Sequence, residues 1–526
     1  MRLHRIAVLG GGPGGLYAAR LLKRSHPDCD VSLYEQVAPE DTFGFGVGLA
    51  SRTQQNLHSA DPQSFEDIVS TAWQHDMAMQ VPAGEARLSH GNLLAIARTT
   101  LLAILHRHAA AAGVRLVYGS RVAADEIDAD LIVAADGVNS ATRTADPEAF
   151  RPTFSVGEGL YLWCGTDFAL PTAIFTPATT QHGTFVAHAY PYADDRSTFL
   201  VETDEQTWRA AGFDVSTEST PPGESDQVSL DYLADAFGGS LAGHRLIGNR
   251  TRWTRFRTVR CAQWSRGNVV LLGDAAHTAH YSIGSGTKLA MEDAIALTAA
   301  VERADSLADA LAQYESRRRP GVEHLQAIAR RSEAWWDSFP GRAGMHPAQL
   351  MLAYMTRAGK VSVDRFASSS PDVARTGLAE FAGVSPGDIP STDIASWTLA
   401  RPLDRHGRHF ADRIATHDLR DAPTTSVVDT DLRSAWSMDA DRVVATTAHA
   451  PVVWVTGPSD RDAVLSRLDL GERLRRENDA IVVVEAPEVH RDDLVAGVVA
   501  HRTDLVSMSV RDDRSLTARA VRSAPA

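Results

Sequence analysis

Four short stretches of this 526-residue chain hold residue types whose spacing suits chemistry. In the first, Gly10, Gly12 and Gly15 fit G-x-G-x-x-G, with Pro13 and Gly14 inside it, and Glu35-Gln36 follow downstream. Such glycines give a tight turn, close approach of backbone to a pyrophosphate, and packing of a helix on a strand; the acid takes ribose hydroxyls. In the second, Asp136, Gly137, Ser140 and Arg143 spell D-G-x-x-S-x-x-R. The third, residues 273–294, reads GDAAHTAHYSIGSGTKLAMEDA and carries Asp274, His277, His280, Tyr281, Gly284, Gly286, Thr287 and Lys288. The fourth, residues 249–267, has Arg250, Arg252, Arg255, Arg257, Arg260 and Arg266 with no acid among them. It reads either as a strand with a solvated basic face or as a landing site for an anionic ligand. On the second reading Arg252, Arg255 and Arg257 hold phosphates, through NADPH or a coenzyme A tail, because a guanidinium donates paired hydrogen bonds.

These residues need elements to hold them. Ile6–Leu9 reads as a strand, Leu16–Arg24 as a helix and Val31–Tyr34 as the next strand, the βαβ order that gives the glycine pattern its meaning. Ala95–Ala112 has helical spacing and carries Arg98; strands follow near Val114–Tyr118 and Leu131–Ala134. Runs such as GTFVAHAYPY and RSTFLVET predict an inserted β-sheet over residues 151–260, and a helical pattern resumes from Leu289 to Trp336. The expected class is α/β. A Rossmann-type nucleotide-binding domain (1–150 and 261–365, the latter with long helices) carries the inserted sheet. A linker region (366–424) and a small α/β module (425–526) follow.

Composition narrows the function classes. A net charge of −14 argues against general nucleic-acid binding, and no apolar run is long enough for a membrane span. Three scattered cysteines (Cys29, Cys164, Cys261) suggest neither disulfides nor a metal site, which fits a cytoplasmic protein. A monomer or a homodimer fits equally.

With the D-G-x-x-S-x-x-R and G-D-A-A-H motifs in order after the first fingerprint, residues 1 to about 360 resemble the group A flavoprotein aromatic hydroxylases. The resemblance implies FAD as cofactor, NADPH or NADH as co-substrate, and O2. It implies that Asp274 binds the ribityl chain, that Gly284 and Gly286 bring backbone N–H groups to the flavin, and that Arg98 contacts FAD. Asp136 and Arg143 would serve FAD and NAD(P)H together. His280-Tyr281 and Lys288 stand where many members have a Pro-Pro pair and an asparagine. That variant, with FGFGVGLASRT (43–53), AHAYPY (187–192) and RFRTVR (255–260), resembles the subgroup acting on aryl-coenzyme A thioesters.

The chemistry so implied passes oxygen from a flavin C4a-hydroperoxide to an electron-rich ring. Position 5 of a 2-hydroxybenzoyl thioester is para to the hydroxyl and meta to the carbonyl, so both groups direct attack there. Candidates for the ring site are His280, Tyr281, Lys288, His188 and Tyr190, with a histidine assisting phenol deprotonation. Trp163, Trp335 and Trp336 read as core. In the anthraniloyl-CoA members an old-yellow-enzyme-like barrel follows. The tail here is too short for one and reads as a shrunken remnant or as a new α/β module. Salicylyl-CoA 5-hydroxylation is therefore the expected reaction; the alternative is hydroxylation of a free indole or phenol.

Overall fold

The structure, a computed structural model, describes residues 1–38, 44–284 and 286–509. Phe43 of the FGFGVG stretch and residues 510–526 of the C-terminal module lie outside the described residues. Contacts divide the chain into two compact units, one of residues 1–80 and 87–340, the other of 81–86 with 341 onward.

The first unit holds two sheets. A six-stranded sheet runs in the order Ser265–Arg266, Val269–Leu271, Leu131–Ala134, Arg5–Leu9, Asp30–Tyr34, Arg115–Val117. All its pairs are parallel except the terminal hairpin. Ile6, Val8, Leu131 and Val133 are buried in its core, which is why these strands read as short apolar runs. The helix Pro13–Ser25 starts directly after the first strand, with Pro13 in its first turn, where a missing N–H costs nothing. It packs on the helix Gly286–Arg303, so the first and third motifs sit on adjoining helices.

The nine-stranded sheet contains the strands Pro152–Thr166, Ala173–Thr180, Gly183–Ala193, Arg196–Thr203, Leu246–Ile247 and Thr254–Cys261, as the alternating pattern predicts. It also recruits Gly46–Leu49, Trp73–Val81 and Gly84–Ala97 from inside the 1–150 segment that sequence gives to the nucleotide-binding part. The helix expected from Ala95 accordingly begins at Arg98, because Ala95–Ala97 pair with Gly46–Gly48 as strand. The continuous helical pattern from Leu289 to Trp336 is two helices, Gly286–Arg303 and Leu307–Asp337, the second capped by Ser306 accepting from the Asp309 N–H.

In the second unit the strands Thr425–Asp429, Val452–Thr456, Ile481–Pro487 and Leu505–Ser509 are parallel and adjacent in chain order. The helices Met438–Thr446, Arg461–Glu477 and Arg491–Val499 connect them. Sequential parallel order is the connectivity of a segment of a β/α barrel. The stretch read as a linker is ordered structure: it holds the helices Pro371–Ala382 and Ile394–Leu399 and a hairpin of Leu403–Arg405 with Arg408–Phe410. Ser370 and Pro371, which signal a loop, here start a helix, with Pro371 in its first turn.

Candidate active site

At the nucleotide end the backbone does the work. Gly10 has φ +102°, and a β-carbon there would strike the Ala135 carbonyl; one on Gly15 would strike the Gly10 carbonyl. The same added atom on Gly12 would meet nothing within 4 Å, so that residue faces open space. Gly14 lies against Leu272 and Ala290, closing helix on strand. Glu35 accepts from the Gly11 N–H at 2.6 Å and the Val37 N–H at 3.0 Å, which fixes its carboxylate beside the turn. Gln36 is exposed next to it.

The second and third motifs meet through Arg143. This arginine is 2% exposed and donates to the backbone carbonyls of Val138 and, at 2.8 Å, of Ala275. It therefore braces the two loops rather than reaching outward. Asp136 accepts from the Thr142 backbone and hydroxyl at 3.0 Å through one oxygen, while its other oxygen is buried without a hydrogen bond. Gly137 supplies a left-handed turn beside it (φ +78°).

Asp274 is exposed yet recessed: burial raises its carboxyl above the usual range against His277 and Arg98, and Asp293 adds to the rise. Arg98, at the start of the Arg98–Ala111 helix, donates its backbone N–H to the Phe45 carbonyl at 2.8 Å, while its guanidinium, which feels the Asp274 charge, makes no hydrogen bond to another described residue. Gly284 takes φ +57°, and Gly286, Thr287 and Lys288 form the first turn of the helix behind it. His277 is locked, its Nε2 at 2.8 Å from Asp293. Asp293 also accepts from the Gly273 N–H at 3.1 Å and from Arg318 at 2.7 Å.

Directly after this loop comes a cluster of side chains from the nine-stranded sheet and the long helix. Tyr281 donates to Glu202 at 2.6 Å, and the other Glu202 oxygen lies 3.2 Å from His188 Nε2. His280 Nδ1 is 2.9 Å from the Ser282 hydroxyl, and its Nε2 is 3.8 Å from Glu333. Rings of Tyr161, Trp336 and Phe256 stand 4.7 Å from Tyr281, 4.2 Å from His188 and 5.0 Å from His280 respectively. Burial pushes His280 down to about 3, so it is neutral, and drives Tyr281 far above its ordinary value. Burial alone would raise Glu202, but His188 and Tyr281 outweigh it and keep the carboxylate ionised. Glu333 and Asp337, unsupported by such partners, are raised to about 7 and about 8, chiefly by burial and then by Glu202.

Of the candidate residues, His188, His280 and Tyr281 come together. Tyr190 is held apart, its hydroxyl donating to the Gly46 carbonyl at 2.8 Å in a cluster with Phe45 and Trp163. Lys288, in the first turn of its helix, makes no side-chain hydrogen bond or ion pair to another described residue. The arginine stretch divides. Arg252 donates to the Thr217 carbonyl, Arg260 to Gln326 at 3.0 Å, and Arg266 pairs with Asp146. Arg255 holds Glu205 at 2.7 Å, and Arg257 holds the Val138 carbonyl at 2.9 Å, both only partly buried. Glu202, Asp293, Glu333 and Asp337 escape sequence reasoning. Their signals were an acid inside the strand RSTFLVET, an acid inside the motif's own helix, and acids four apart on one helix face.

A family model described as FAD binding domain matches residues 4–329. The chain belongs to this family of FAD-binding flavoproteins. It is 42% identical over 369 residues to a salicyloyl-CoA 5-hydroxylase of Streptomyces sp, covering 68% of this chain and 71% of that one. It is 41% identical to the 3-hydroxy-4-methyl-anthranilyl-[aryl-carrier protein] 5-monooxygenase of Streptosporangium sibiricum, covering 68% and 95%. Among solved structures, 2-methyl-3-hydroxypyridine-5-carboxylic acid oxygenase superposes with a TM-score of 0.53 at 22% identity, covering 71% of this chain and 97% of that one. The protein is thus a flavoprotein aromatic monooxygenase with FAD as its cofactor. The residues present fit that cofactor. Open space at Gly12, the unpartnered Asp136 oxygen, the uncommitted Arg98 guanidinium and the solvent-reachable Asp274 are polar groups awaiting a polar ligand.

Proposed function

We propose that the protein hydroxylates a 2-hydroxybenzoyl group carried as its coenzyme A thioester, at position 5, using NADPH or NADH and O2. The 42% identity to a salicyloyl-CoA 5-hydroxylase carries this reading, and the ring-side geometry suits it. When bound, FAD supplies the redox and oxygen chemistry. Gly10, Gly12 and Gly15 with Glu35 would hold its adenosine diphosphate end, and Asp274 with Arg98 its middle. Because Tyr281 donates its own proton to Glu202, its oxygen can only accept from the substrate side. A phenolic ring hydroxyl is the matching donor. His188, on the other Glu202 oxygen, holds that carboxylate in place, and the surrounding aromatic rings exclude water. Arg255 and Arg257, partly open to solvent, are the arginines suited to a nucleotide phosphate.

A second reading rests on the 41% identity to a monooxygenase acting on an aryl-carrier protein: the same ring chemistry with the acyl group on a protein. Stopped-flow reduction of the bound flavin by NADPH, alone and with salicylate or salicylyl-CoA, tests the proposal. Acceleration by the thioester only, with gentisyl-CoA formed in air, is expected. An equal response to the free acid, or none to either, overturns it.

A further inference from the structure

The Asp274 carboxylate is exposed and makes no hydrogen bond to another described residue, so its place follows from the short turn Gly273–Ala275 that carries it. That turn is closed by the N–H groups of Ala276 and His277, both donating to the Gly273 carbonyl at 2.9 Å. One residue from outside holds both of its ends. Asp293, in the helix Gly286–Arg303, is buried; one of its oxygens accepts from the Gly273 N–H at 3.1 Å and lies 2.8 Å from His277 Nε2. Gly273 takes φ +61° and passes so close to Ala290 that a β-carbon would strike the alanine side chain. Burial alone would raise Asp293, but His277 and Arg318 outweigh it and keep the carboxylate ionised; it can only accept, so His277 Nε2 carries the proton between them. The His277 ring is 2% exposed and its Nδ1 has no hydrogen-bond partner, so the bond to Asp293 is the one that orients it. The other Asp293 oxygen takes the Arg318 Nε–H at 2.7 Å from the helix Leu307–Asp337.

We propose that Asp293, acting through Gly273 and His277, is a positioning residue for the cofactor: it sets where Asp274 stands, and so how tightly the protein holds the ribityl chain of FAD. The inference rests on the reading that Asp274 meets that chain. A carboxylate with no protein partner has only its backbone to preorganise it, and a ligand that must order a turn on binding loses affinity by that cost. Asp293 removes the cost in advance. Its bonds to the turn are charge-assisted, and so stronger than those between neutral groups. From the other motif Arg143 holds the Ala275 carbonyl at 2.8 Å. The turn is thus gripped at its ends and its middle, while the Asp274 carboxylate stays open to a ligand. Asp293 itself, buried behind the turn, need not touch FAD.

For the test, FAD is stripped from the enzyme and titrated back. Binding is read from the quenching of flavin fluorescence, and stability from melts of the apoproteins. Asp274→Asn sets the scale for losing the contact itself. Asp293→Asn, which is nearly isosteric, is expected to raise the FAD dissociation constant about tenfold or more. A pair of substitutions at His277 decides the matter should that variant fold poorly. His277→Gln sets an amide nitrogen near the place of Nε2 and keeps a donor for Asp293, whereas His277→Leu keeps bulk and loses the donor. The leucine variant is expected to bind FAD about tenfold more weakly, and the glutamine variant to stay within about threefold of wild type. A merely structural clamp would lower the apoprotein melts and leave FAD binding unchanged, and that result overturns the inference. Equal losses in the two His277 variants overturn it as well, because packing and not the bond to Asp293 would then be at work. An Asp274→Asn enzyme that binds FAD like the wild type overturns the reading of Asp274, and the inference with it.

Discussion

The two ends of the candidate site are built from different materials. At the nucleotide end, the proposed contact with a ligand falls mainly to backbone: glycines such as Gly10 and Gly15 whose neighbours leave no room for a β-carbon, and loops tied by Arg143 to peptide carbonyls. At the ring end it falls to side chains, paired in short ionic and aromatic contacts drawn from a sheet and a helix far apart in sequence. A backbone site tolerates almost no substitution but is insensitive to pH. A side-chain site tolerates conservative exchange but responds to protonation. The contrast predicts where mutations should be all-or-none and where they should be graded.

The largest effect belongs to the glycines. Gly10→Ala places a methyl group against the Ala135 carbonyl in a left-handed conformation, and the purified protein should be colourless by absorbance. Next is Asp293→Asn, which weakens the bonds to His277, Gly273 and Arg318 at once. It should cost about 2–4 kcal/mol in thermal or denaturant unfolding of the FAD-loaded protein, because partly buried Arg318 is left with only its longer pair to Glu292 at 3.4 Å. Glu202→Gln should lower kcat by about 10- to 100-fold with a smaller change in KM, since Tyr281 loses a charged acceptor while the ring walls remain.

Two titrations, both at the ring end, then run opposite in sign. Glu333 rises from 4.5 to about 7 on folding, so the folded state holds its proton more tightly than the unfolded chain. Its contribution to stability is complete below pH 4.5 and is lost as pH climbs towards 7; Glu333→Gln should remove that slope in melts across the range. His280 falls from 6.5 to about 3, so its contribution is complete above pH 6.5 and fades as pH drops. The smallest effect is Arg266→Ala. It breaks an ion pair with Asp146 in which the arginine is largely exposed, and should change stability by no more than about 0.5 kcal/mol.

Sequence gave access to these ends unequally for the same physical reason. A backbone site is written in consecutive residues, so the spacing of Gly10, Gly12 and Gly15, and of Asp274 with Gly284 and Gly286, is visible in one line of text. The ring end is written in pairs such as Glu202 with Tyr281 and His280 with Glu333, which only the register of sheet and helix brings together. Residue type nominated His188, His280 and Tyr281, which the structure brings together. It also nominated Tyr190, which stands two residues from His188 on the same strand but packs with Phe45 instead. The strands between Gly46 and Ala97 were hidden because alternation there is masked by polar residues on both faces. In the second unit, helices such as Ile394–Leu399 are too short to show a period, so capping residues read as loop.

The Arg143 brace has a consequence for how the chain is made. It joins positions 131 and more residues apart, and the strand Leu131–Ala134 must also wait for Val269–Leu271 to complete its pairing. During synthesis the N-terminal 150 residues therefore emerge without the segments that close their sheet, and the nucleotide-binding half can finish only after the whole nine-stranded sheet has been made. The second unit, with each strand beside its predecessor in chain order, needs only local loops to close. Of the two units, the one translated later is thus equipped to fold faster, and the earlier one must be kept from aggregating longer.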